Sequence, residues 1–219
     1  MRDKICYIVG AGENCGLDFA PKQGDYVIAA DGGYKYLQQK GIKADLLIGD
    51  FDTLHYKPAH NNVITLNKIK DDTDTLAAVR EGIKKGYSNF HIYCGTGGRI
   101  EHTLANLQLL ASLSQQNLKC FLFGKDCIIT ALTKGEIRFN CDATGYISVF
   151  AFSDKATGVC IKGLKYQLDN ATLINSFPIG VSNEFVGKIS SVSVANGTLL
   201  IVFSKEAMGK ISGGEIFYC

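Results

Sequence analysis

Residues 44–74 read ADLLIGDFDTLHYKPAHNNVITLNKIKDDTD, and the fold follows from how this stretch is read. Leu46-Leu47-Ile48 has the length and apolar character of a buried strand. It stops at Gly49, and Asp50 and Asp52 follow in alternation. Residues two apart on an extended chain point the same way, so both carboxylates leave the strand end towards one point. Further on, Asp71, Asp72 and Asp74 crowd the start of an amphipathic segment, TDTLAAVREGIKKG. Five like charges near one place repel, and more so if buried. A cation such as Mg²⁺ resolves that conflict, because hard divalent ions take oxygen ligands and bring phosphates with them. The plainer reading of 71–74 is a helix cap that complements the dipole, and for Asp72 that reading is preferred. It leaves Gly49-Asp50-Phe51-Asp52 unexplained, since no helix begins beside those two acids.

Working outward, 5–9 and 26–30 read as strands that end in Gly10-Ala11-Gly12 and Asp31-Gly32-Gly33. Residues 34–41 look helical with a glycine stop, and 62–66 make a further strand. The segment from Asp74 spaces Leu76, Val79 and Ile83 helically and closes at Gly86. A strand at 90–94 runs into Gly95-Thr96-Gly97-Gly98-Arg99, then a helix over 101–115 and a strand at 120–123. Strands alternating with helices predict a mainly parallel open sheet with helices on both faces. After Asp126 helical periodicity stops. Short strand-like runs follow at 128–132, 136–140, 146–152, 159–161, 171–174, 190–195 and 198–203, with Asn196-Gly197 as a hairpin signal between the last two. The expected organisation is therefore an α/β domain over 1–126 and an all-β sandwich or barrel over 127–219. The tail KEAMGKISGGEIFYC carries no assignment.

The composition is that of an ordinary soluble globular protein: 219 residues, 46% hydrophobic, 20% charged. A net charge of +2 without a basic cluster gives no warrant for a nucleic-acid partner. The eight cysteines form no CxxC pair and the four histidines are scattered, which argues against zinc. No signal peptide or membrane-spanning run is evident, so a reduced, cytoplasmic setting is expected.

In an open parallel sheet, ligands bind beyond the carboxyl ends of the strands. There the acids would meet the 95–99 turn, which offers backbone N–H groups to an anion, and Arg99, whose fork of donors suits phosphate. No Walker motif occurs, and Gly16 falls one residue too late for a dinucleotide fingerprint after Gly10-Ala11-Gly12. A metal–polyphosphate site is the better account of these groups together.

Several motifs in order carry a family resemblance: Ala30-Asp31-Gly32-Gly33, Asp45-x4-Gly49-Asp50-Phe51-Asp52, Lys70-Asp71-Asp72-Thr73-Asp74 and Gly97-Gly98-Arg99-x-Glu101-His102-x3-Asn106. Later come Gly163-Leu164-Lys165-Tyr166 and Ser182-Asn183-Glu184. The chain resembles thiamine pyrophosphokinase over nearly its whole length except the tail. The resemblance implies diphosphoryl transfer from ATP to the hydroxyl of thiamine, with AMP released and Mg²⁺ required. It makes Asp50, Asp52 and Asp74 metal and diphosphate acids, with Asp31 and Asp71 beside them. It places Lys70, Thr73, Gly97, Gly98, Arg99 and His102 near the nucleotide, and Tyr166, Ser182 and Asn183 near thiamine. It also implies a homodimer in which the β domain of one subunit covers thiamine held at the other's sheet. Glu101 departs from the family's usual Asp. Asp71 and Glu101 are the alternative acceptors of the hydroxyl proton. Two rival readings use the same residues: a metal-dependent phosphohydrolase, against which the β unit counts, and a non-catalytic nucleotide- or thiamine-binding regulator.

Overall fold

The structure is a computed structural model that describes residues 3–51, 60–67 and 72–218. It divides into two compact units, Met1–Leu109 with Cys120–Lys125, and Leu110–Lys119 with Asp126–Cys219. Among the described residues no helix is long and apolar enough to cross a membrane.

The first unit is a sheet ordered β6-β5-β1-β2-β3-β4, formed by β1 (Cys6–Val9), β2 (Tyr26–Ala30), β3 (Leu46–Gly49), β4 (Val63–Thr65), β5 (Asn89–Tyr93) and β6 (Lys119–Phe123). The pairs β5–β1, β1–β2, β2–β3 and β3–β4 are all parallel. Every residue of β1 and β3 is buried, as their unbroken apolar runs predict for strands covered on both faces. Register places Cys6, Tyr26 and Phe90 side by side, and helix α2 (Asp74–Lys84) lies over them. It comes so close at Gly82 that a Cβ there would stand 2.6 Å from the Phe90 ring and 2.9 Å from Cys6 Sγ. The opposite face carries Tyr7, His91, Tyr93 and Phe123, with Phe19 stacked on Tyr7 at 4.2 Å. Helix α1 (Gly33–Lys40) ends at Gly41 in the left-handed conformation, as the glycine stop predicts. Helix α3 spans Ile100–Gln115. The chain builds β1 to β4 towards one side and then returns to place β5 on the other side of β1. The switch point therefore lies between β1 and β5, where open α/β sheets bind ligands.

The second unit is all β. Its spine is β12 (Ser190–Ser204), antiparallel to β7 (Cys127–Phe139) along nearly its whole length. The first half of β12 also pairs with β9 (Lys155–Lys162) and the second half with β8 (Tyr146–Ala151). β10 (Leu168–Ile174) extends β9, and β11 (Asn183–Glu184) extends β8. Phe139, Phe203, Ile137, Ile147 and Ile201 are fully buried between these strands, each stabilising the fold by about 1.5–3 kcal/mol relative to exposure.

Two sequence expectations are corrected here. Residues 128–132 and 136–140 form one strand, and Asn196-Gly197 is no hairpin: β12 continues through it with a register shift between Val194 and Thr198. Gly197 has φ 91°, the positive value a glycine supplies to a bulge as well as to a turn. The unassigned tail forms a 3₁₀ turn (Lys205–Lys210) and β13 (Ile211–Tyr218), which pairs antiparallel with β7.

Candidate active site

Four strand ends of the first unit open onto one cavity of about 940 Å³. After β1, the loop through Gly12 runs along the loop after β5 and is laced to it. The N–H groups of Gly10, Gly12 and Glu13 donate to the carbonyls of Tyr93, Cys94 and Thr96 at 2.9, 2.8 and 3.0 Å. The Tyr36 hydroxyl donates to the Gly12 carbonyl at 2.9 Å. Burial, and then the nearby acids Cys94, Cys15 and Glu13, hold that phenol above its ordinary pKa.

Three of these strands are followed by a left-handed residue other than glycine: Asp31 after β2 (φ 46°), Phe51 after β3 (φ 59°) and Cys94 after β5 (φ 54°). Such residues cost stability and persist where surrounding structure fixes them, which is characteristic of functional sites. Asp31 lines the cavity with 6% of its surface exposed, and its Oδ1 is buried without a hydrogen-bond partner. A buried carboxylate oxygen left unsatisfied is costly, and a cation is the group that would relieve it.

Asp50 and Asp74 line the same cavity. Asp74 is the first residue of α2, and the cap before it is Thr73, whose Oγ1 accepts the Leu76 N–H at 3.1 Å. The cap preferred for Asp72 is thus corrected: Asp72 forms an ion pair with Arg80 instead. After β5, Gly97 and Gly98 both take left-handed backbone (φ 76° and 62°) and line the cavity with Arg99 and His102. Arg99 Nε lies 3.6 Å from Glu101 Oε1, with both side chains largely exposed; a pair in that setting holds weakly and leaves the guanidinium available. Glu101 itself is not part of the cavity wall. Asp52, Lys70 and Asp71 lie outside the described residues. Among the described residues, no three His, Cys, Asp or Glu are gathered into a ready-made metal cage.

Two wall residues had no role in the sequence reading. Asn106, on α3, is buried, and its Nδ2 donates to the Gly95 carbonyl at 2.7 Å, fixing the start of the glycine turn. Glu13 sits over Gly97, its Oε2 within 2.6 Å of where a Cβ would stand. Asn106 fell within the quoted motif, but nothing in its spacing says that its side chain reaches back to Gly95.

In the second unit, Tyr166 displays its ring with 60% of its surface exposed. Its backbone is clamped by Asn183: the Tyr166 N–H donates to Asn183 Oδ1 at 2.9 Å, and Asn183 Nδ2 donates to the Tyr166 carbonyl at 2.6 Å. The Glu184 N–H takes the same Oδ1 at 2.9 Å, so this buried amide is engaged at both ends. Lys165 Nζ lies 5.6 Å from the Tyr166 ring centre and 2.7 Å from Glu184 Oε1. Ser182 has φ 57°, and its N–H donates to Ser148 Oγ at 3.0 Å.

Comparison with known proteins covers both units. Family models for the thiamin pyrophosphokinase catalytic domain and for its vitamin B1 binding domain match residues 20–122 and 134–199. The thiamine pyrophosphokinase of Bacillus subtilis (strain 168) is 29% identical over 186 residues, which is 82% of this chain and 87% of that protein. A crystal structure of thiamine pyrophosphokinase from Bacillus subtilis superposes with a TM-score of 0.80 at 27% identity, covering 92% of this chain and 99% of that one. Yeast thiamin pyrophosphokinase shares the fold at 14% identity, with a TM-score of 0.72 and coverage of 94% and 88%.

Proposed function

Because this chain belongs to the thiamine pyrophosphokinase family, we propose that the cavity at the ends of β1, β2, β3 and β5 is where it carries out that family's reaction. It transfers a diphosphoryl group from ATP to the hydroxyl of thiamine, giving thiamine diphosphate and AMP. The observation that carries the assignment of the site is the convergence of Asp31, Asp50 and Asp74 with the glycine turn and Arg99 on one cavity at the switch point.

Mg²⁺ fits this donor set. Mg²⁺ takes carboxylates together with substrate phosphates rather than an all-protein cage, and the wall includes Asp31, whose buried Oδ1 has no protein partner. In this reading Asp50, Asp52 and Asp74 would hold the ion, with Asp31 beside them. When bound, it neutralises charge on the β- and γ-phosphates. The chain's own residues do the rest. Arg99 and the N–H groups of 95–98 take up charge on the phosphate oxygens, and Lys70 adds a cation. Asn106 keeps the turn in place. The thiamine hydroxyl attacks the β-phosphorus in line. Asp71 or Glu101 accepts the hydroxyl proton; the position of Glu101 beside Arg99 and off the cavity wall favours Asp71. The second unit offers the Tyr166 ring to the vitamin, positioned by Asn183, with Ser182 near by. We extend the proposal to a cytoplasmic homodimer in which Tyr166 of one subunit serves the acids of the other.

The deciding measurement is product identity from Mg-ATP with and without thiamine. AMP is expected, and only when thiamine is present. ADP as the main product, or AMP released without thiamine, would overturn the reading in favour of γ-transfer or hydrolysis.

A further inference from the structure

Two thiols meet behind the nucleotide cavity, and the proposed reaction uses neither. Cys15 lies in the segment after β1 and Cys94 at the end of β5, far apart in sequence, yet their Sγ atoms are 3.7 Å apart. Both are buried. The Cys94 N–H donates to Cys15 Sγ at 3.2 Å, so the contact is held by backbone as well as by packing. Cys94 is among the residues of the cavity wall but has no exposed surface, whereas Cys15 keeps 6% of its own, so a small oxidant reaches the pair through Cys15.

We propose that Cys15 and Cys94 are a dithiol modification site, closed to a disulfide by hydrogen peroxide, that lowers the affinity of the cavity for ATP. The chemistry balances. The Cys15 sulfur attacks one peroxide oxygen, the O–O bond breaks, water leaves and a sulfenic acid remains. The Cys94 sulfur then attacks Cys15 sulfur, the S–O bond breaks and a second water leaves. Two thiols are oxidised to one disulfide, the two peroxide oxygens are reduced, and the two thiol protons end in the waters.

The consequence follows from what the two sulfurs are tied to. A disulfide bond is about 2.05 Å long, so the pair must close by about 1.6 Å. Cys94 cannot move alone: its carbonyl accepts the Gly12 N–H at 2.8 Å, and Gly95 follows it directly, held by Asn106 at 2.7 Å. Closing the sulfurs therefore shifts the root of the 95–99 turn, which presents N–H groups and Arg99 to phosphate. A displacement on the scale of 1 Å in positioning residues is worth up to two orders of magnitude in rate. The effect on ATP rests on the reading of this cavity as the nucleotide site, whereas the cross-link does not.

The test uses the full chain, reduced, freed of reductant and then treated with hydrogen peroxide. The expected result is loss of two hydrogens by intact mass and a non-reduced peptide joining Cys15 to Cys94. KM for ATP should rise about tenfold, KM for thiamine should change little, and dithiothreitol should restore both. Cys15→Ala and Cys15→Ser should each bind ATP normally and lose the peroxide response. Recovery of both cysteines as alkylated thiols after treatment, or linkage only through another cysteine such as the exposed Cys141, would overturn the site. A mapped Cys15–Cys94 bond that leaves KM for ATP unchanged would overturn the switch. Reduced protein unable to bind ATP would instead overturn the nucleotide reading and the switch with it, while the mass map still reports the bond.

Discussion

Asp31 concentrates the conflict of this site in one side chain. Its backbone is left-handed, its carboxylate is buried, and Oδ1 has no protein partner. Asn takes left-handed backbone at least as readily as Asp, so Asp31→Asn removes the charge without adding strain. Thermal stability of the ligand-free protein should hold or rise, because a buried charge is removed. AMP release should fall by about 10²-fold, as when one electrostatic stabiliser is lost. Loss of stability with retained turnover would make Asp31 a purely structural residue. Asn106→Ala behaves in the opposite way. It leaves the Gly95 carbonyl without its donor, which costs about 1–3 kcal/mol in a buried setting. It should raise KM for ATP more than it lowers kcat, a split that steady-state kinetics reads directly. The contrast shows how much of the site was legible. Asp50, Asp74, Arg99 and the glycines, which line the cavity, stood out as candidates because acids at a strand end and a glycine turn carry their chemistry locally. Asn106 and Glu13 did not, because their roles come from which loop a helix or a neighbouring turn happens to lie against.

At the scale of elements, sequence reading succeeded where one local signal dominated. β2 was legible to the residue, from an apolar run closed by Asp-Gly-Gly, and α1 to within one residue. It failed where partners decide. Asn196-Gly197 has the chemistry of a hairpin, but β7 runs alongside both halves of β12, so the chain bulges there and continues. The aromatic face of the first sheet was equally invisible in sequence, and it has a thermodynamic consequence. His91 lies 5.5, 5.6 and 5.1 Å from the rings of Tyr7, Phe121 and Phe123. Burial lowers its pKa from 6.5 to about 4, with Asp25 opposing more weakly. The unfolded chain therefore binds a proton between those values that the folded chain refuses. The stabilisation is complete above pH 6.5 and is lost as pH falls towards 4. It amounts to roughly 3 kcal/mol at most, since part of the ring's surface still meets solvent. Urea unfolding at pH 7 and pH 4.5 should show this loss, and His91→Phe should remove that part of it. An unchanged slope in the variant would mean that His91 is protonated within the fold.

At the scale of the molecule, the proposed chemistry needs groups from both units: acids and phosphate donors from the first, the exposed Tyr166 ring from the second. The proposal that they meet across a homodimer has a numerical signature. Consider one subunit carrying Asp50→Asn and another carrying Tyr166→Ala, each nearly inactive as a homodimer. In a mixed two-fold dimer with shared sites, one site collects both lesions and the other collects neither. Random reassembly from equal amounts makes half the dimers mixed, each with one intact site of two, so activity should return to about one quarter of that of the unaltered protein. If each site is built within a single chain, every site keeps one lesion and no mixing ratio restores turnover. The two cases separate cleanly when native mass spectrometry confirms that mixed dimers are present. Activity that stays at the level of the separate variants would then confine Asp50 and Tyr166 to one subunit, with the transfer chemistry of the cavity unaffected.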